Sequence, residues 1–393
     1  MFKDNIAVIG LGMAGLPLAA VIASNKIKVV GIDPNKARCE LINKGLNPIA
    51  EEPNLEEIIK NHGGKNLIAS PSYKDAEDCT VYIIIVPLFI DENHLPDYNH
   101  LKQAILNVGR MLKKNDIVVI ETTVPPGTTE TLIKDWLESE SGMSVGEFYL
   151  AHSPERIMTG YSISRLREFP KVIGGVNIES GEKAYNVYKN FIPHISLVSS
   201  ARVAEFIKVM EGCYRDVNIA LANELFKIAD ELGIDFAEAR EHANHTYCNI
   251  HFPSTGVGGH CIPYYPWFLI HKMEGKGKYS YTSLLKASRA LNDEMLYYWM
   301  NKVLLSCLEI NKPLGLIKIC INGITFRKGV KSTHYSRNLA LATLLKNKGL
   351  DVYAFDELLS KKEIEDLGLK YLEPESADLV FNSFDLKISM NAK

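Results

Sequence analysis

A cysteine lies at the centre of a glycine-rich stretch, STGVGGHCIPYYPWFLI, which spans residues 254–270. The glycines of this stretch, Gly256, Gly258 and Gly259, leave the backbone flexible, and a protonated His260 would stabilise the neighbouring thiolate. We interpret the other six cysteines as small hydrophobic residues, the commoner role of a buried cysteine. Cys261 is therefore the predicted nucleophile. Beside a nicotinamide cofactor, such a thiol would oxidise an aldehyde through a thiohemiacetal and a thioester.

The stretch IAVIGLGMAGLPLA near the start of the chain has the spacing G-x-G-x-x-G, formed by Gly10, Gly12 and Gly15. An ordinary turn between a strand and a helix could also contain these glycines. However, a second strand-like run ends in Asp33, which would accept hydrogen bonds from a ribose 2′-hydroxyl and repel a 2′-phosphate. The first glycine would permit the turn, the second would admit a pyrophosphate, and the third would seat the helix. The pattern predicts a dinucleotide site that prefers NAD to NADP.

Short β-rich runs alternate with amphipathic stretches over residues 5–175. The runs of strand length are NIAVIG, KVVGID, VYIIIV, DIVVIE, FYLAHS and KVIGG. Between them lie helix-like pieces such as residues 99–113. This alternation predicts a parallel sheet covered by helices on both faces.

A longer helical pattern follows at residues 201–232, which contain no proline and stop at Gly233. A helix of this length could bridge two lobes or pair with a second copy of itself. Residues 282–311 also have a helical pattern, and after Pro313 a strand, a helix and a strand return as LIKICING, SRNLALATLLKNKG and LDVYAFD. We predict an α/β fold with two Rossmann-like, doubly wound lobes joined by a long central helix. The expected domains are residues 1–198, 199–311 and 312–393.

The composition of the chain argues against several classes of protein and of binding partner. The chain has 393 residues, 46% of them hydrophobic and 23% charged, and a net charge of −3 without a basic run, which argues against nucleic acid as a partner. Seven scattered cysteines without a CxxC pair argue against a metal site or a disulfide framework and indicate a reducing compartment. The chain has neither a signal-peptide pattern nor an apolar run long enough for a membrane span, so we expect a cytoplasmic protein that does not bind membranes.

Several motifs together resemble the UDP-glucose/GDP-mannose dehydrogenase family. They are GVGGHCIP, AHSPERIMTG, ETTVPPGTTE, AEFIKVMEGCYRDVNIALANEL and the opening glycine turn, and they cover nearly the whole chain in the family's order. YRDVNIALANEL is similar to the branch of UDP-N-acetylhexosamine 6-dehydrogenases. The resemblance implies NAD as cofactor, a homodimer formed through the central helix, and two hydride transfers that turn a 6-hydroxyl into a carboxylate. It also implies that residues 1–198 bind NAD, 199–311 serve dimerisation and catalysis, and 312–393 bind the UDP-sugar.

The resemblance also implies roles for individual residues. Cys261 matches the family's nucleophile, Lys208 a lysine that contacts the reacting 6-oxygen, and Glu155 a carboxylate that activates water. Thr123 would lie near the nicotinamide, and Arg38 near the adenine ribose. The positions that match sugar-nucleotide contacts are Arg156, Ile157, Lys208, Arg215, His245, Gly258, Phe326 and Arg327, and His334 matches a cofactor contact. Without the resemblance, a solvated helix face would be the preferred interpretation of Lys208 and Arg215.

The sequence departs from the family pattern near the sugar end. Gly212 replaces an asparagine four residues after Lys208, Tyr265 replaces an aspartate four residues after Cys261, and Tyr247 replaces an arginine. The further replacements are Arg327 for a lysine and His334 for an arginine. These changes bring thioester hydrolysis and sugar recognition into question. A further strand and turn would be expected after the last residues, so the final lobe could be shortened.

Three functions remain open on this basis. The first is an NAD-dependent UDP-N-acetylhexosamine 6-dehydrogenase that makes precursors for surface polysaccharide or glycan. The second is a nucleotide-sugar or uronate epimerase that uses tightly held NAD for transient oxidation and needs no thioester hydrolysis. The third is a non-catalytic protein that binds nucleotide sugars. Net formation of NADH separates the first function from the other two.

Overall fold

The fold is taken from a computed structural model, which describes residues 5–49, 52, 54–157, 160–259 and 261–390. The chain separates into two compact units, Met1–Met210 and Glu211–Lys393, and the boundary falls inside the longest helix. His260, one of the residues singled out from the sequence, lies outside the described residues. The division into three domains stays a prediction.

The first unit is built on an eight-stranded sheet with the order β10-β9-β8-β7-β4-β1-β2-β3, beside a small β5-β6 hairpin. The strands are β1 Ile6–Ile9, β2 Val29–Ile32, β3 Leu67–Ser70, β4 Val81–Ile84, β5 Phe89–Ile90, β6 Pro96–Asp97, β7 Ile117–Ile120, β8 Tyr149–His152, β9 Lys171–Gly175 and β10 Ile195–Val198. The helices are α1 Gly15–Ser24, α2 Lys36–Asn43, α3 Leu55–His62, α4 Asn99–Met111, α5 Lys134–Ser141, α6 Ser162–Glu168, α7 Ile178–Tyr188 and the start of α8 Ala201–Glu231. A 3₁₀ turn, Tyr73–Ala76, and a π-helical turn, Thr129–Ile133, complete the unit.

The six strands predicted from apolar runs are confirmed as β1, β2, β4, β7, β8 and β9. Strands β3 and β10 were not predicted. The sheet is parallel, as predicted, except that β8 pairs with β9 in the antiparallel sense, and β10 then pairs with β9 in parallel. A short apolar run indicates that a strand is buried on both faces. It does not indicate whether the strand runs parallel or antiparallel to its neighbours.

Helix α1 fixes the position of the glycine turn that is predicted to bind the dinucleotide. Its sequence, GLPLAAVIAS, is apolar on all sides, and residues 15–23 are buried. The helix lies in the main core with side chains of β1, β2 and β3, including Ile6, Val29 and Leu67. A helix that is apolar all round belongs in a protein interior, so its N-terminus is fixed with respect to the sheet.

The second unit contains the rest of α8 and a five-stranded sheet with the order β13-β12-β11-β14-β15. Its helices are α9 Phe236–Ala243, α10 Tyr265–Glu274, α11 Ser283–Leu308, α12 Arg337–Asn347 and α13 Lys361–Asp366, with 3₁₀ turns at Tyr279–Thr282, Leu314–Leu316 and Pro374–Ser376. Its strands are β11 Lys318–Asn322, β12 Asp351–Phe355, β13 Lys370–Tyr371, β14 Leu379–Asn382 and β15 Lys387–Met390. The edge strand β15 pairs with β14 in the antiparallel sense. Trp299 of α11 anchors the core between Phe226 and Phe381, with ring centroids 5.4 and 5.0 Å away.

Four parallel strands repeat in both units, as β3-β2-β1-β4 and as β13-β12-β11-β14. In each unit the central strand ends at a glycine with positive φ, Gly10 (+99°) or Gly323 (+90°). In each unit the next strand ends at a buried aspartate, Asp33 or Asp356. These carboxylates accept hydrogen bonds from Leu11 N and Ile324 N, both at 2.9 Å. The two predicted Rossmann-like lobes are therefore confirmed.

The two repeats differ after this glycine. In the first unit α1 begins at Gly15, which leaves a tight turn after Gly10. In the second unit α12 begins only at Arg337, so residues 324–336 form a long loop after Gly323. This loop contains the predicted ligand residues Phe326, Arg327 and His334. It occupies the position in the second unit that the glycine turn occupies in the first. Among the described residues, no helix is long and apolar enough to cross a membrane.

Candidate functional site

The glycines of the first turn differ in the space around them. A Cβ atom added at Gly10 would lie 2.6 Å from the carbonyl oxygen of Ile85, and one at Gly15 would lie 1.8 Å from the carbonyl oxygen of Gly10. A Cβ at Gly12 would meet nothing within 4 Å. Gly10 and Gly15 are thus required for packing, whereas the open side of Gly12 leaves room for a pyrophosphate to approach the backbone. This geometry fits a bound dinucleotide.

Asp33 is buried at the carboxyl end of β2 and organises the same turn. Its Oδ2 accepts hydrogen bonds from Leu11 N at 2.9 Å and from Arg38 Nη1 at 3.0 Å, and its Oδ1 accepts one from Asn35 N at 2.9 Å. Asn35 in turn caps α2 by accepting from Arg38 N. The ion pair keeps the Arg38 guanidinium beside the carboxylate, which suits recognition of ribose hydroxyls rather than a 2′-phosphate.

The strand order places a binding crevice beside β1. The chain winds outward from β1 through β2 to β3, and then returns to β4 on the other side of β1. Ligands of doubly wound sheets bind at such a reversal, beyond the carboxyl ends of the strands. Thr123 follows the neighbouring strand β7 at that same edge, where Thr122 Oγ1 donates a hydrogen bond to the carbonyl oxygen of Val86 at 2.7 Å. The position of Thr123 is consistent with a cofactor contact.

Glu155 and Lys208 lie close together in the first unit. Lys208 Nζ is 4.0 Å from Glu155 Oε2, and both side chains are mostly shielded from solvent. Glu155 N donates a hydrogen bond to Glu121 O at 3.2 Å, and Ile157 N donates one to Glu155 Oε1. An ammonium and a carboxylate at this distance can share the tasks of stabilising an oxyanion and accepting a proton from water.

A buried polar group that the sequence analysis did not identify supports Glu155. Lys171 Nζ donates hydrogen bonds to Glu121 Oε2 at 2.7 Å and to the carbonyl oxygen of Pro154 at 3.2 Å, and Tyr188 OH donates one to Glu121 Oε1 at 2.6 Å. Burial raises the pKa of Glu121, although Lys171 and Tyr188 oppose this shift. The ammonium of Lys171 thus fixes the backbone immediately before Glu155.

Glu205 fastens the beginning of α8 to the loop that follows Thr123. Its carboxylate accepts hydrogen bonds from the backbone N–H groups of Gly127 and Thr129, the second at 2.7 Å. Burial raises the pKa of Glu205 to about 7, against the opposing effect of these hydrogen bonds. Because Glu205 and Lys208 are three residues apart on one helix, this anchor also fixes the base of the Lys208 side chain.

In the second unit, Cys261 is half-buried and lies just before α10. Its carbonyl oxygen accepts hydrogen bonds from Tyr264 N at 3.1 Å and Tyr265 N at 3.2 Å. The preceding glycines are packed tightly: a Cβ at Gly256 would lie 2.6 Å from the carbonyl oxygen of Asn292, and one at Gly258 would lie 3.1 Å from that of Tyr335. The loop therefore needs its glycines for packing as well as for flexibility, as Gly256 also has a φ of +116°.

The loop at residues 324–336 packs against the cysteine loop. A Cβ at Gly258 would lie 3.6 Å from Phe326 Cβ, and the Arg327 guanidinium lies 5.9 Å from the Phe326 ring centroid. His334 stacks edge-on against Tyr335 with centroids 4.2 Å apart, and Tyr335 contacts Tyr264 at 5.9 Å. Burial, the hydrogen bond with Tyr335 and the nearby Cys261 all raise the pKa of the Tyr264 phenol. Phe326, Arg327 and His334 thus lie on a loop that packs against the cysteine loop.

Two departures from the family pattern contact each other. A Cβ at Gly212 in α8 would lie only 2.2 Å from Tyr265 Cδ2 and 3.0 Å from Tyr265 Cγ. The Tyr265 ring is buried, and it also packs against Phe268 at 6.0 Å between centroids. The ring can occupy this position only because residue 212 has no side chain. Both substitutions were visible in the sequence, but their contact was not.

The remaining predicted ligand residues occupy separate places. In the first unit, Arg156 Nη1 donates a hydrogen bond to the carbonyl oxygen of Pro170 at 2.9 Å, and Ile157 packs against the main core. In the second unit, Arg215 is exposed on α8, close enough to His251 to contribute to lowering its pKa after the larger effect of burial. His245 closes a tight turn with Cys248 through reciprocal backbone hydrogen bonds of 2.9 and 3.0 Å.

The structure therefore groups the predicted residues into two sets. The first unit contains the glycine turn with its aspartate and arginine, the threonine after β7, and the glutamate–lysine pair. The second unit contains the cysteine loop and the 324–336 loop. Tyr247, which stands where the resemblance implies an arginine, is 94% exposed in the turn between His245 and Cys248, and its ring centroid is 6.2 Å from that of His245. Nothing in the described part of the chain explains this replacement.

Two family models and several curated relatives match this chain. Residues 4–192 match the NAD binding domain of the UDP-glucose/GDP-mannose dehydrogenase family, and residues 202–294 match the family's central domain. A UDP-N-acetyl-D-mannosamine dehydrogenase of Methanococcus maripaludis is 37% identical over 360 residues, which cover 90% of this chain and 79% of that protein. An NDP-N-acetyl-D-galactosaminuronic acid dehydrogenase of Ralstonia nicotianae is 33% identical over 83% of this chain and 76% of its own length.

A solved structure extends the agreement to the fold. The UDP-D-ManNAc dehydrogenase of Pyrococcus horikoshii superposes with a TM-score of 0.86 at 31% identity, over 96% of this chain and 88% of that one. NAD is accordingly the cofactor, and the matching NAD binding domain covers residues 4–192. The glycine turn, the glutamate–lysine pair and the cysteine loop are thus parts of an oxidoreductase, and the chain belongs to the UDP-glucose/GDP-mannose dehydrogenase family.

Proposed function

We propose that this chain is a nucleotide-sugar 6-dehydrogenase that oxidises the 6-hydroxyl of a UDP-N-acetylhexosamine to the uronate, a precursor for surface polysaccharide or glycan. UDP-N-acetyl-D-mannosamine is the first substrate to test, because relatives such as the Methanococcus maripaludis and Pyrococcus horikoshii proteins bear that name. The Ralstonia nicotianae relative makes a galacto-configured substrate the second choice. NAD, when bound, would accept one hydride, so the four-electron oxidation of an alcohol to a carboxylate requires two molecules of NAD that bind in turn.

In this proposal Gly10, Gly12, Gly15, Asp33 and Arg38 hold the cofactor, and Thr123 and His334 make further cofactor contacts. Lys208 stabilises the negative charge that develops on the 6-oxygen. Glu155 takes the proton from the water that ends the reaction. The 4.0 Å separation of Lys208 Nζ and Glu155 Oε2 supports both roles, because one small group can touch both side chains.

Cys261 supplies the covalent step. Its thiolate sulfur adds to the carbonyl carbon of the 6-aldehyde, and the carbonyl oxygen gains a proton, which gives a thiohemiacetal. Loss of a hydride and of that proton leaves a thioester. Water then adds to the thioester carbon, the carbon–sulfur bond breaks, and the products are the carboxylate, the free thiolate and two protons.

The proposed contacts of the sugar nucleotide come from positions that match the family's motifs. They are Arg156, Ile157, Lys208, Arg215, His245, Gly258, Phe326 and Arg327. The packing of Phe326 beside Gly258 supports the assignment of these two residues to one ligand. Guanidinium groups suit a diphosphate, since they offer bidentate, charge-assisted hydrogen bonds.

The main support for the proposal is the structure of the cysteine loop. In this loop, tightly packed glycines lead to a half-buried thiol just before a helix. Cys39, Cys307 and Cys320, by contrast, belong to clusters of buried hydrophobic residues, which is the ordinary environment of a structural cysteine. The epimerase hypothesis gains no support from the relatives, which are named as dehydrogenases.

The experiment is an NADH assay with a panel of UDP-N-acetylhexosamines in the gluco, manno and galacto configurations, followed by mass analysis of the products. The proposal predicts that one of them yields NADH and a product with the mass of the 6-carboxylate. An epimer of unchanged mass without NADH would overturn it in favour of the epimerase. Binding without conversion would overturn it in favour of a non-catalytic protein.

We further propose that the enzyme is a cytoplasmic homodimer formed through α8. Apolar side chains at seven-residue spacing, Tyr214, Leu221 and Ile228, are 60%, 47% and 51% exposed along one face of this helix, and Leu232 continues the line. A second copy of the helix would cover such a stripe. Light scattering of the full chain and of Leu221→Glu tests the dimer: the proposal predicts a dimer that the variant weakens, and a monomeric unmodified protein would contradict it.

A further inference from the structure

A buried chain of polar side chains lies behind the cysteine loop in the second unit. It begins at the loop, where Ser254 N donates a hydrogen bond to Asn223 Oδ1 at 2.8 Å. Asn223 Nδ2 donates to Asn292 Oδ1 at 3.0 Å, and Asn292 Nδ2 donates to the backbone oxygen and to Oδ1 of Asp216 at 3.0 and 2.9 Å. At the end of this series of hydrogen bonds, Arg289 Nη1 donates one to Asp216 Oδ1 at 2.6 Å. We call Asp216, Asn223, Arg289 and Asn292 the loop clamp.

The loop clamp joins three parts of the unit: the cysteine loop, α8 and α11. Asp216 and Asn223 are seven residues apart and so lie on one face of α8, while Arg289 and Asn292 are three residues apart on α11. Asp216, Asn223 and Asn292 are fully buried, and Arg289 is nearly so. Buried polar groups of this kind are costly unless they are paired, and once paired they fix a single arrangement of the elements that supply them.

Further contacts hold the loop from other sides. The carbonyl oxygen of Asn292 would lie 2.6 Å from a Cβ at Gly256, so the backbone of α11 touches the loop directly. Thr255 Oγ1 donates a hydrogen bond to Asn338 Oδ1 at 2.6 Å, and Asn338 Nδ2 donates one to the carbonyl oxygen of Thr325 at 3.3 Å. The stretch that leads to Cys261 is thus held from α8, from α11 and from Asn338 of α12, which in turn contacts the loop that contains Phe326.

We propose that the loop clamp is a positioning device that fixes Cys261 for attack, and that Asn223 is its central member because it joins Ser254 of the loop to Asn292 of α11. The proposal rests on the proposed role of Cys261 as the nucleophile. A flexible glycine loop needs such external anchors, because a displacement of a reacting atom by about 1 Å costs on the order of a hundredfold in rate.

The test uses the full-length Asn223→Ala and Asn292→Ala proteins. Asn301→Ala is the matched control, because Asn301 is an exposed asparagine on the same helix as Asn292, α11. Alkylation of each cysteine by iodoacetamide is followed by peptide mass analysis, with buried Cys213, Cys307 and Cys320 as internal references. Steady-state kinetics with NAD and the best UDP-sugar accompany this measurement.

The proposal predicts that both clamp variants alkylate Cys261 several-fold faster while the reference cysteines keep their rates. It also predicts that kcat falls at least tenfold, whereas the KM for NAD, which binds to the first unit, stays within about twofold. Faster alkylation of all cysteines together would indicate general unfolding and overturn the proposal. An unchanged alkylation rate at Cys261 would overturn it as well. Because alkylation does not depend on turnover, its result stands even if the proposed substrate class is wrong.

Asn223→Asp adds a conservative comparison. The carboxylate keeps an acceptor for Ser254 N but cannot donate to Asn292. The proposal predicts an alkylation rate at Cys261 between those of the unmodified protein and Asn223→Ala. A rate equal to that of Asn223→Ala would mean that the hydrogen bond to Ser254 contributes nothing, which contradicts the central place given to Asn223.

Discussion

The ring of Tyr265 lies against the backbone of Gly212, so close that a Cβ at residue 212 would be 2.2 Å from Tyr265 Cδ2. A glycine inside α8 costs the helix about 1 kcal/mol relative to alanine, because it adds backbone freedom to the unfolded chain. Here the missing side chain makes room for an aromatic ring at the start of α10. The two residues therefore form one packing unit, and each limits the side chain that the other can have.

This relationship predicts a change of sign in a double-mutant cycle. Gly212→Ala should destabilise the protein by about 1–3 kcal/mol in the presence of Tyr265, because the added methyl group overpacks the contact. In a Tyr265→Asp background the same substitution should stabilise the protein, since only the gain in helix propensity remains. Urea denaturation of the four proteins measures this coupling. If Gly212→Ala changes the free energy of unfolding equally in both backgrounds, the contact makes no contribution to stability.

The fold was largely predictable from sequence because periodicity and glycine spacing depend on local physics. The predicted helix over residues 201–232 is α8, Ala201–Glu231, and the glycine turn leads from β1 into α1 as expected. The contact between Gly212 and Tyr265 was not predictable, because it joins residues that are far apart in the chain. It depends on the space between two helices, which a single sequence does not encode locally.

The polar residues behind the site were also missed, although one signal was present. Asp216 and Asn223 are seven residues apart on α8, and a helix turns this spacing into one face. A polar pair on a face that is otherwise apolar indicates a buried hydrogen-bonding partner on another element. The identity of that partner, Asn292, required the structure. Lys171 was missed for the same reason, because its partner Glu121 lies on a different part of the chain.

Tyr265 should also affect the rate of thioester hydrolysis. An aromatic ring lies at the start of α10, where the resemblance to the family implies a carboxylate, so we expect a rapid burst of NADH followed by a slower steady rate. Tyr265→Asp should accelerate the slow phase, and Phe268→Leu is a control for loss of aromatic packing alone. Stopped-flow absorbance of NADH measures both phases. A trace without a burst, and without a gain in Tyr265→Asp, would assign the control of hydrolysis to Glu155.

Asp33 should determine the choice of cofactor. Asp33→Ser removes the partner of the Arg38 guanidinium, which then becomes available to a 2′-phosphate. We expect the preference for NAD over NADP to weaken by on the order of tenfold or more, equivalent to about 1.4 kcal/mol. The ratio of kcat/KM for the two cofactors measures this preference. In the double variant Asp33→Ser, Arg38→Ala, the increase in kcat/KM for NADP should disappear. An increase that persists in the double variant would exclude a role for Arg38.

Glu205 should give the stability a recognisable dependence on pH. Its pKa is raised from 4.5 to about 7, mainly by burial, so between these pH values the folded state holds a proton that the unfolded state has lost. The free energy of unfolding should therefore fall as the pH rises through this window, by on the order of 3 kcal/mol, and stay level above it. Glu205→Gln cannot titrate, and urea denaturation of both proteins at several pH values gives the difference. A difference that does not change with pH, or a stability of the unmodified protein that grows relative to Glu205→Gln as the pH rises, would contradict the raised pKa.

Every step proposed after the aldehyde depends on a covalent bond between Cys261 and the substrate carbon. Acid quenching during turnover, followed by mass analysis of the peptide that contains residues 254–270, tests for this bond directly. We predict a uronyl thioester on Cys261 that reaches its maximum in the burst phase and disappears as substrate is exhausted, with Cys261→Ser as the control that lacks the thioester. Full turnover with Cys261 unmodified at every time point, or undiminished steady-state NADH formation by Cys261→Ser, would contradict the covalent mechanism.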